Sequence, residues 1–428
     1  MNSPAPPIIC TLAQHKKGSS SYTKMSYPVH CGIYSELSTR DFVFHFNLNN
    51  EIIRAKRKGG DWGHPHEWLK RTIGNDWVYY STGGYTGVFE ATGEYYLPNF
   101  RYPTNSILGG HPFRLKEVKD LSDNWHFLLQ TIEESISFST RQDSTTDRQR
   151  TFLKNVIEQS PEILKKRAKK LFDIIGGRIS VLPPDARHVD YNLIPLTISR
   201  GCLYKCRFCK VKNNLPFTEL SRADINSQLE QLKLLFDQDL PNYNSLYLGE
   251  HDALLSNHQL LLHSVEQGIE TLELQNSNVH GNNTFLFGSV GSLLGAPTEL
   301  FQQLEQLPGK VYINLGLESA DQETLDHIGK PIKARDVVEA FHRSQEINRT
   351  FASIEITANF IMDGDLPTGH YPRILELIRD SLVHKKPKGT IYFSPLTFDQ
   401  PSRARLFEFN KIKIVSRLPT HLYIIQRL

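Results

Sequence analysis

Cysteine is scarce in this chain and unevenly placed: there are five in 428 residues, and none follows position 209. That excludes the even, dispersed set that a disulfide-stapled secreted protein needs. No apolar run approaches the roughly 18 residues of a membrane-spanning helix. Before Ile8-Ile9 the N-terminus carries no basic residue, and that apolar stretch is too short for the core of a signal peptide. Net charge is small, +3 from 49 Lys+Arg against 46 Asp+Glu, which argues against a protein that coats nucleic acid. Internal repeats and low-complexity tracts are missing too. A soluble, cytoplasmic protein with no membrane partner is the expectation, and 428 residues suggest two or three domains.

What is present divides the chain. Residues 1–30 are polar and are read as a flexible N-terminal segment. Phe42, Phe44 and Phe46 alternate with Val43, His45 and Asn47, and aromatics punctuated by glycine follow, so 31–115 is expected to be a small, mostly β domain. Residues 116–185 read as a helical connection and linker. Ser160-Pro161-Glu162 is a helix start, Gly176-Gly177 a stop, and Leu182-Pro183-Pro184-Asp185 a stiff linker. From Tyr191 onward, apolar runs at 193–199, 244–248, 284–287, 311–317, 353–361 and 390–394 read as strands separated by amphipathic helices. Six such units imply a parallel sheet, and six are too few for a closed eightfold barrel. The expected fold is therefore α/β, a partial (β/α)6 parallel barrel over 186–398, followed by a C-terminal extension at 399–428.

Three of the five cysteines, Cys202, Cys206 and Cys209, fall within eight residues directly after the first strand of that series. Three soft thiolates on one loop can converge on an iron–sulfur cube and leave one iron without a protein ligand. The loop leaves the carboxyl end of its strand, where parallel α/β folds build their active sites. The competing interpretation is a structural zinc with His188 as fourth ligand, in a non-catalytic nucleic-acid- or protein-binding module. Structural zinc prefers two separated cysteine pairs, and here there is one cluster.

Cys-x3-Cys-x2-Cys with an aromatic residue, here Phe208, just before the last cysteine resembles the radical S-adenosylmethionine (radical SAM) superfamily. The resemblance covers about 190–396. It implies a [4Fe-4S] cluster on the three cysteines and S-adenosylmethionine at the open iron. It also implies reductive cleavage to a 5′-deoxyadenosyl radical that abstracts hydrogen from a substrate, with an external reductant of flavodoxin or ferredoxin type. Leu246 to Leu254 looks like the family's segment facing the methionyl amine, which gives Gly249 and Glu250 cofactor-binding roles alongside Phe208. Asn314 to Ser319 looks like the fourth strand, with Glu318 and Ser319 near the ribose, and Asn359 stands nearest the mouth on the fifth. No cysteine follows 209 to hold an auxiliary cluster, and no Asp-x-His-x-x-Gly motif marks a cobalamin domain of the usual kind. Within that chemistry, RNA modification competes with peptide or small-metabolite chemistry. The aromatic stretch Trp62 to Tyr102 reads first as the core of the β domain, His64 and His66 as surface residues, and the basic helix 162–172 as a solvated face.

Overall fold

The structure is a computed structural model that describes residues 8–16, 32–62, 68–81, 91–96, 116–138, 144–179, 182–189, 193–209, 215–382, 388–396 and 403–426. Cys31, His64, His66 and much of the Trp62–Tyr102 stretch lie outside the described residues, as does the His188 side chain.

Seven strands open the chain: β1 (Ile9–Lys16), β2 (Gly32–Ser38), β3 (Phe42–Phe46), β4 (Ile52–Arg57), β5 (Trp68–Arg71), β6 (Trp77–Ser81) and β7 (Ala91–Tyr96). Each pairs antiparallel with the next. Alternation sets their faces: Leu37, Phe44, Ala55 and Leu69 share a core with Val118, Leu121, Trp125 and Leu129 of helix α1 (Lys116–Phe138). Helices α2 (Ser144–Glu158) and α3 (Pro161–Ile175) follow. In α3 the expected start is realised: the Ser160 side chain accepts from the Ile163 amide, proline begins the first turn, and Gly176 closes the helix in a left-handed conformation. Leu164, Ala168, Leu171 and Ile175 recur at helical spacing and are the buried stripe.

All six expected parallel strands are found: β8 (Leu193–Thr197), β11 (Ser245–Gly249), β12 (Asn283–Gly288), β13 (Lys310–Glu318), β14 (Ile354–Met362) and β15 (Ile391–Pro395). Two-residue strands β9 (Ser199–Arg200) and β10 (Thr218–Glu219) form a small separate ladder. Between the strands lie α4 (Arg222–Phe236), α5 (His258–Thr271), α6 (Val290–Gly295), α7 (Thr298–Gln306), α8 (Gln322–Ile328), α9 (Ala334–Thr350) and α10 (His370–Leu375); α11 (Arg403–Val415) comes after β15. A seventh parallel strand, β16 (Thr420–Gln426), was not expected. It pairs with β15 on one side and with β7 on the other. The two halves are consequently one 14-stranded sheet in the order β1 to β7, β16, β15, β14, β13, β12, β11, β8.

Two faces follow. Outward-pointing Ile313, Leu315 and Leu317 of β13 join the core beneath the helices. Facing inward, Leu193, Tyr247, Phe285 and Tyr312 cluster with Ala186. Register carries the inner face up to the seam: Gly316 opposes Asn359, Asn359 opposes Tyr392, and Tyr392 opposes His421. The Pro183-Pro184 stretch, expected as a linker, turns out to be a floor. Asp185 is 1% exposed, and its carboxylate accepts from Thr357 Oγ1 at 2.6 Å and from Tyr392 Oη at 2.8 Å. With one end of the inner face plugged, the open end is the carboxyl edge of the parallel strands.

Candidate active site

The cysteine loop occupies that edge. β9 and β10 zip its base together, and the amide of Leu220 donates to the carbonyl of Ile198 at 2.9 Å. Gly201, immediately before Cys202, has φ +76°, and a Cβ there would meet the Pro216 carbonyl oxygen at 2.2 Å, so only glycine fits. The loop then leans on α8. The Arg207 amide donates to the Gly329 carbonyl at 3.1 Å, and its guanidinium donates to the His327 carbonyl. Gly329 ends α8 at φ +66°, with the Arg207 Cβ only 2.6 Å from where its own Cβ would stand. Tyr204 reaches to the other side, where its hydroxyl accepts from the Gly291 amide at 3.2 Å.

All three cysteines are free thiols, with Cys206 buried and Cys202 and Cys209 half-buried. Burial pushes the Cys206 thiol up from its ordinary value, and the Lys330 ammonium pulls it back. Burial raises Cys202 as well, opposed by a hydrogen bond from the Tyr204 backbone and, less strongly, by Lys330. Cys209 acts electrostatically on both, so the three sulfurs share one neighbourhood.

Lys330 was missed in the sequence, and only its place after Gly329 could have hinted at it. Its side chain is buried, donates to the Gly316 carbonyl at 2.7 Å, and pairs with Glu318 at 3.2 Å. It also lies 6.0 Å from the centroid of the Phe208 ring. Glu318 sits on a bulge at the end of β13 with φ +66°, a left-handed conformation costly for a side-chain-bearing residue. That turn points its carboxylate toward Lys330 at the strand's end. Ser319 is fully buried and engaged: its Oγ accepts from the Asp321 amide and lies 2.9 Å from His370 Nδ1. His370 Nε2 donates to the Ile361 carbonyl at 3.0 Å, which leaves Nδ1 as acceptor, and burial lowers its affinity for a second proton.

Glu250 follows β11, half-buried, 3.4 Å from His251 Nε2, with its carbonyl accepting from Tyr247 Oη at 2.9 Å. At Gly249 a Cβ would be 3.4 Å from the nearest atom, so packing within the chain does not demand glycine there. Asp252, also unforeseen, is 1% exposed and accepts from Ser292 Oγ at 2.7 Å, tying this loop to α6 beside Cys202. Asn359 spends its amide inward. It donates to Asn314 Oδ1 at 2.6 Å, while Asn314 donates to Thr357 Oγ1 at 2.8 Å. The edge thus brings together Cys202, Cys206, Cys209, Phe208 and Glu318 around Lys330. Ser319 stands one layer behind.

Three thiolates beside a buried cation are the kind of donor set an iron–sulfur cluster takes. The buried Lys330 cation offsets part of the negative charge such a centre brings.

Comparison with family models matches residues 196–362 to the model described as Radical SAM superfamily. Among curated proteins none matches. Of solved structures, a radical SAM methyltransferase from Sphaerobacter thermophilus shares 12% identity at a TM-score of 0.38, over 54% of this chain and 66% of its own. The cobalamin-dependent S-adenosylmethionine radical enzyme OxsB, with aqua-cobalamin bound, is 17% identical at a TM-score of 0.34, over 53% and 31%. Methylornithine synthase (PylB) is 10% identical at a TM-score of 0.33, over 59% and 77%. This chain spans less than two thirds of the first two. The family match, rather than these distant likenesses, decides the class: over residues 196–362 the chain carries a domain of the radical SAM superfamily.

Proposed function

We propose that this protein is a radical SAM enzyme whose Cys202, Cys206 and Cys209 hold a [4Fe-4S] cluster with one iron left for S-adenosylmethionine. The observation that carries the reading is three thiols on one short loop at the carboxyl edge of a parallel sheet, with no fourth cysteine near them among the described residues. Once bound there, cluster and S-adenosylmethionine would supply one-electron reductive cleavage of the sulfonium and, through the 5′-deoxyadenosyl radical it yields, hydrogen abstraction from a substrate.

The chain's own groups then have defined tasks. Lys330 neutralises charge beside the thiolates and fixes Glu318. Glu318, with one oxygen on Lys330, offers the other to hydroxyl or ammonium donors at the mouth. Glu250 is a second acceptor across the edge, Phe208 a flat apolar wall, and Gly249 a place where backbone can approach a ligand. The Asp185 floor and the Tyr247–Phe285–Tyr312 layer keep water out from below.

Anaerobic reconstitution tests this. About four irons with matching sulfide per chain, and 5′-deoxyadenosine formed on adding S-adenosylmethionine and dithionite, are expected. Cys202→Ala, Cys206→Ala and Cys209→Ala should each abolish the nucleoside. One tightly held zinc and no iron would instead establish the non-catalytic interpretation.

A further inference from the structure

Helix α3 carries five cations against two acids, a net +3, which is also the net charge of the entire 428-residue chain. The remainder averages to neutral, so this helix is where the surplus of positive charge stands. Leu164, Ala168, Leu171 and Ile175 turn to the core, and Lys165, Lys166, Lys169 and Lys170 stand exposed on the opposite side. Glu162 and Asp173 sit near the two ends of that face. Among the described residues the ion pair made by α3 is that of Arg167 with Glu51, so the four lysines are left to solvent.

Where the basic face leads gives it a purpose. α3 ends at Gly176 and Gly177, which share a cleft with Arg178, Arg200, Gly249 and Glu250 at the carboxyl edge of β8 and β11. The Arg200 guanidinium lies against the final turn, so close that a Cβ on Gly176 would collide with it. It thereby covers the carbonyl pole of the helix, which would repel an anion. Asp76 holds one edge of Arg178, whose side chain is still 59% exposed, with its guanidinium carbon 5.8 Å from the centroid of the Phe172 ring. From Lys165 to Gly176 the helix rises about 16 Å, long enough to hold several phosphates of an extended strand.

We infer that α3 is a guide for single-stranded nucleic acid, whose phosphates follow the lysines and bring a nucleoside to the cleft beside the cysteine loop. The inference rests on the proposed function and names its substrate class. Lysines are point charges on flexible stems, suited to a phosphate chain of no fixed geometry. Leu215, 53% exposed in the cleft, and the flat Arg178 guanidinium offer an unpaired base the apolar and stacking surfaces it needs. A duplex keeps its bases stacked inside and presents none to a cleft. An anionic membrane calls for apolar side chains beside the lysines, and apart from Ile163 at its start this face has none exposed as far as Lys170.

Binding is read on the full chain with no cluster loaded, by fluorescence anisotropy of labelled oligo-uridine RNA and oligo-thymidine DNA. At about 50 mM salt one strand or both should bind with a Kd of about 10 µM or tighter, as phosphate-driven binding does, and the tighter names the source. Lys169→Glu/Lys170→Glu should weaken binding at least tenfold. It should also flatten the slope of log affinity against log salt by about 1.4, two phosphate contacts at about 0.7 each. Should charge reversal disturb folding, Lys169→Gln/Lys170→Gln decides on the same change in slope. Photoreactive 4-thiouridine in the strand should crosslink to the segment around Arg178 or Leu215. Crosslinks that avoid the cleft, or no binding at about 100 µM, would overturn the inference. So would displacement by poly-glutamate as readily as by unlabelled strand, which would mark a surface for an acidic protein. The proposed function fails on iron content and 5′-deoxyadenosine, neither of which this binding reads, so the two failures are distinguishable.

Discussion

Lys330→Met removes the cation that pairs with Glu318, and its cost can be worked out beforehand. At 3.2 Å the pair attracts by about 5 kcal/mol at an effective dielectric near 20. Desolvation of both ions offsets much of that, since their side chains are only 8% and 14% exposed. Removing one partner strands the other, which typically costs about 3–5 kcal/mol. The Gly316 carbonyl loses its donor as well. Glu318→Gln on the Lys330→Met background removes the stranded charge at constant shape and constant backbone strain, so it should restore about 2 kcal/mol. Urea unfolding of the metal-free protein in the four-member cycle measures the coupling directly. A coupling below about 0.5 kcal/mol would refute the account of Lys330 and Glu318 as a buried pair.

Other outcomes follow from the same coordinates. Cys10→Ala should leave the iron count unchanged, because Cys10 lies in β1 and burial holds its thiol up at about 11, where it is neither a ready ligand nor reactive. Burial pushes the Asp239 carboxyl up to about 7 from an ordinary 3.8, against hydrogen bonds from Asn242 and the Leu48 amide. A raised carboxyl stabilises in full below about pH 4 and loses that contribution as pH climbs through 7. Stability should therefore fall by up to about 4 kcal/mol over that window, and Asp239→Asn should flatten the profile in unfolding titrations. His370→Ala orphans the Ser319 hydroxyl and the Ile361 carbonyl inside the core, at a cost of about 2–4 kcal/mol read by the same unfolding assay.

Much of the core was legible because its signals are local. Apolar runs flanked by helical stripes marked six strands in their proper places, and cysteines at fixed spacing marked the loop after the first of them. β16 was not legible. Thr420 to Gln426 stands beyond the helix–strand alternation, and its partner β7 lies more than three hundred residues earlier, a distance no periodicity reports. The floor was hidden for the same reason, since Asp185 bonds Thr357 and Tyr392 across 172 and 207 positions. Two prolines before it read as a stiff linker, and stiffness tells nothing of burial. The resemblance set Glu318 and Asn359 on the fourth and fifth strands of the series, and β13 and β14 carry them. That Glu318 would adopt a left-handed turn and clasp Lys330 depends on a bulge that sequence alone does not mark. Ser319 shows the converse: its neighbour faces the mouth, and the same turn buries the serine against His370.

The seam between β7 and β16 has a consequence for biogenesis. On the ribosome, β7 emerges long before the strand that completes it, so its outer edge must wait, unsatisfied, through the synthesis of all the other parallel strands. Such a high contact order predicts slow closure and a late intermediate prone to self-association. Chaperone dependence during expression should accordingly track β16, Thr420–Gln426, rather than the cysteine loop.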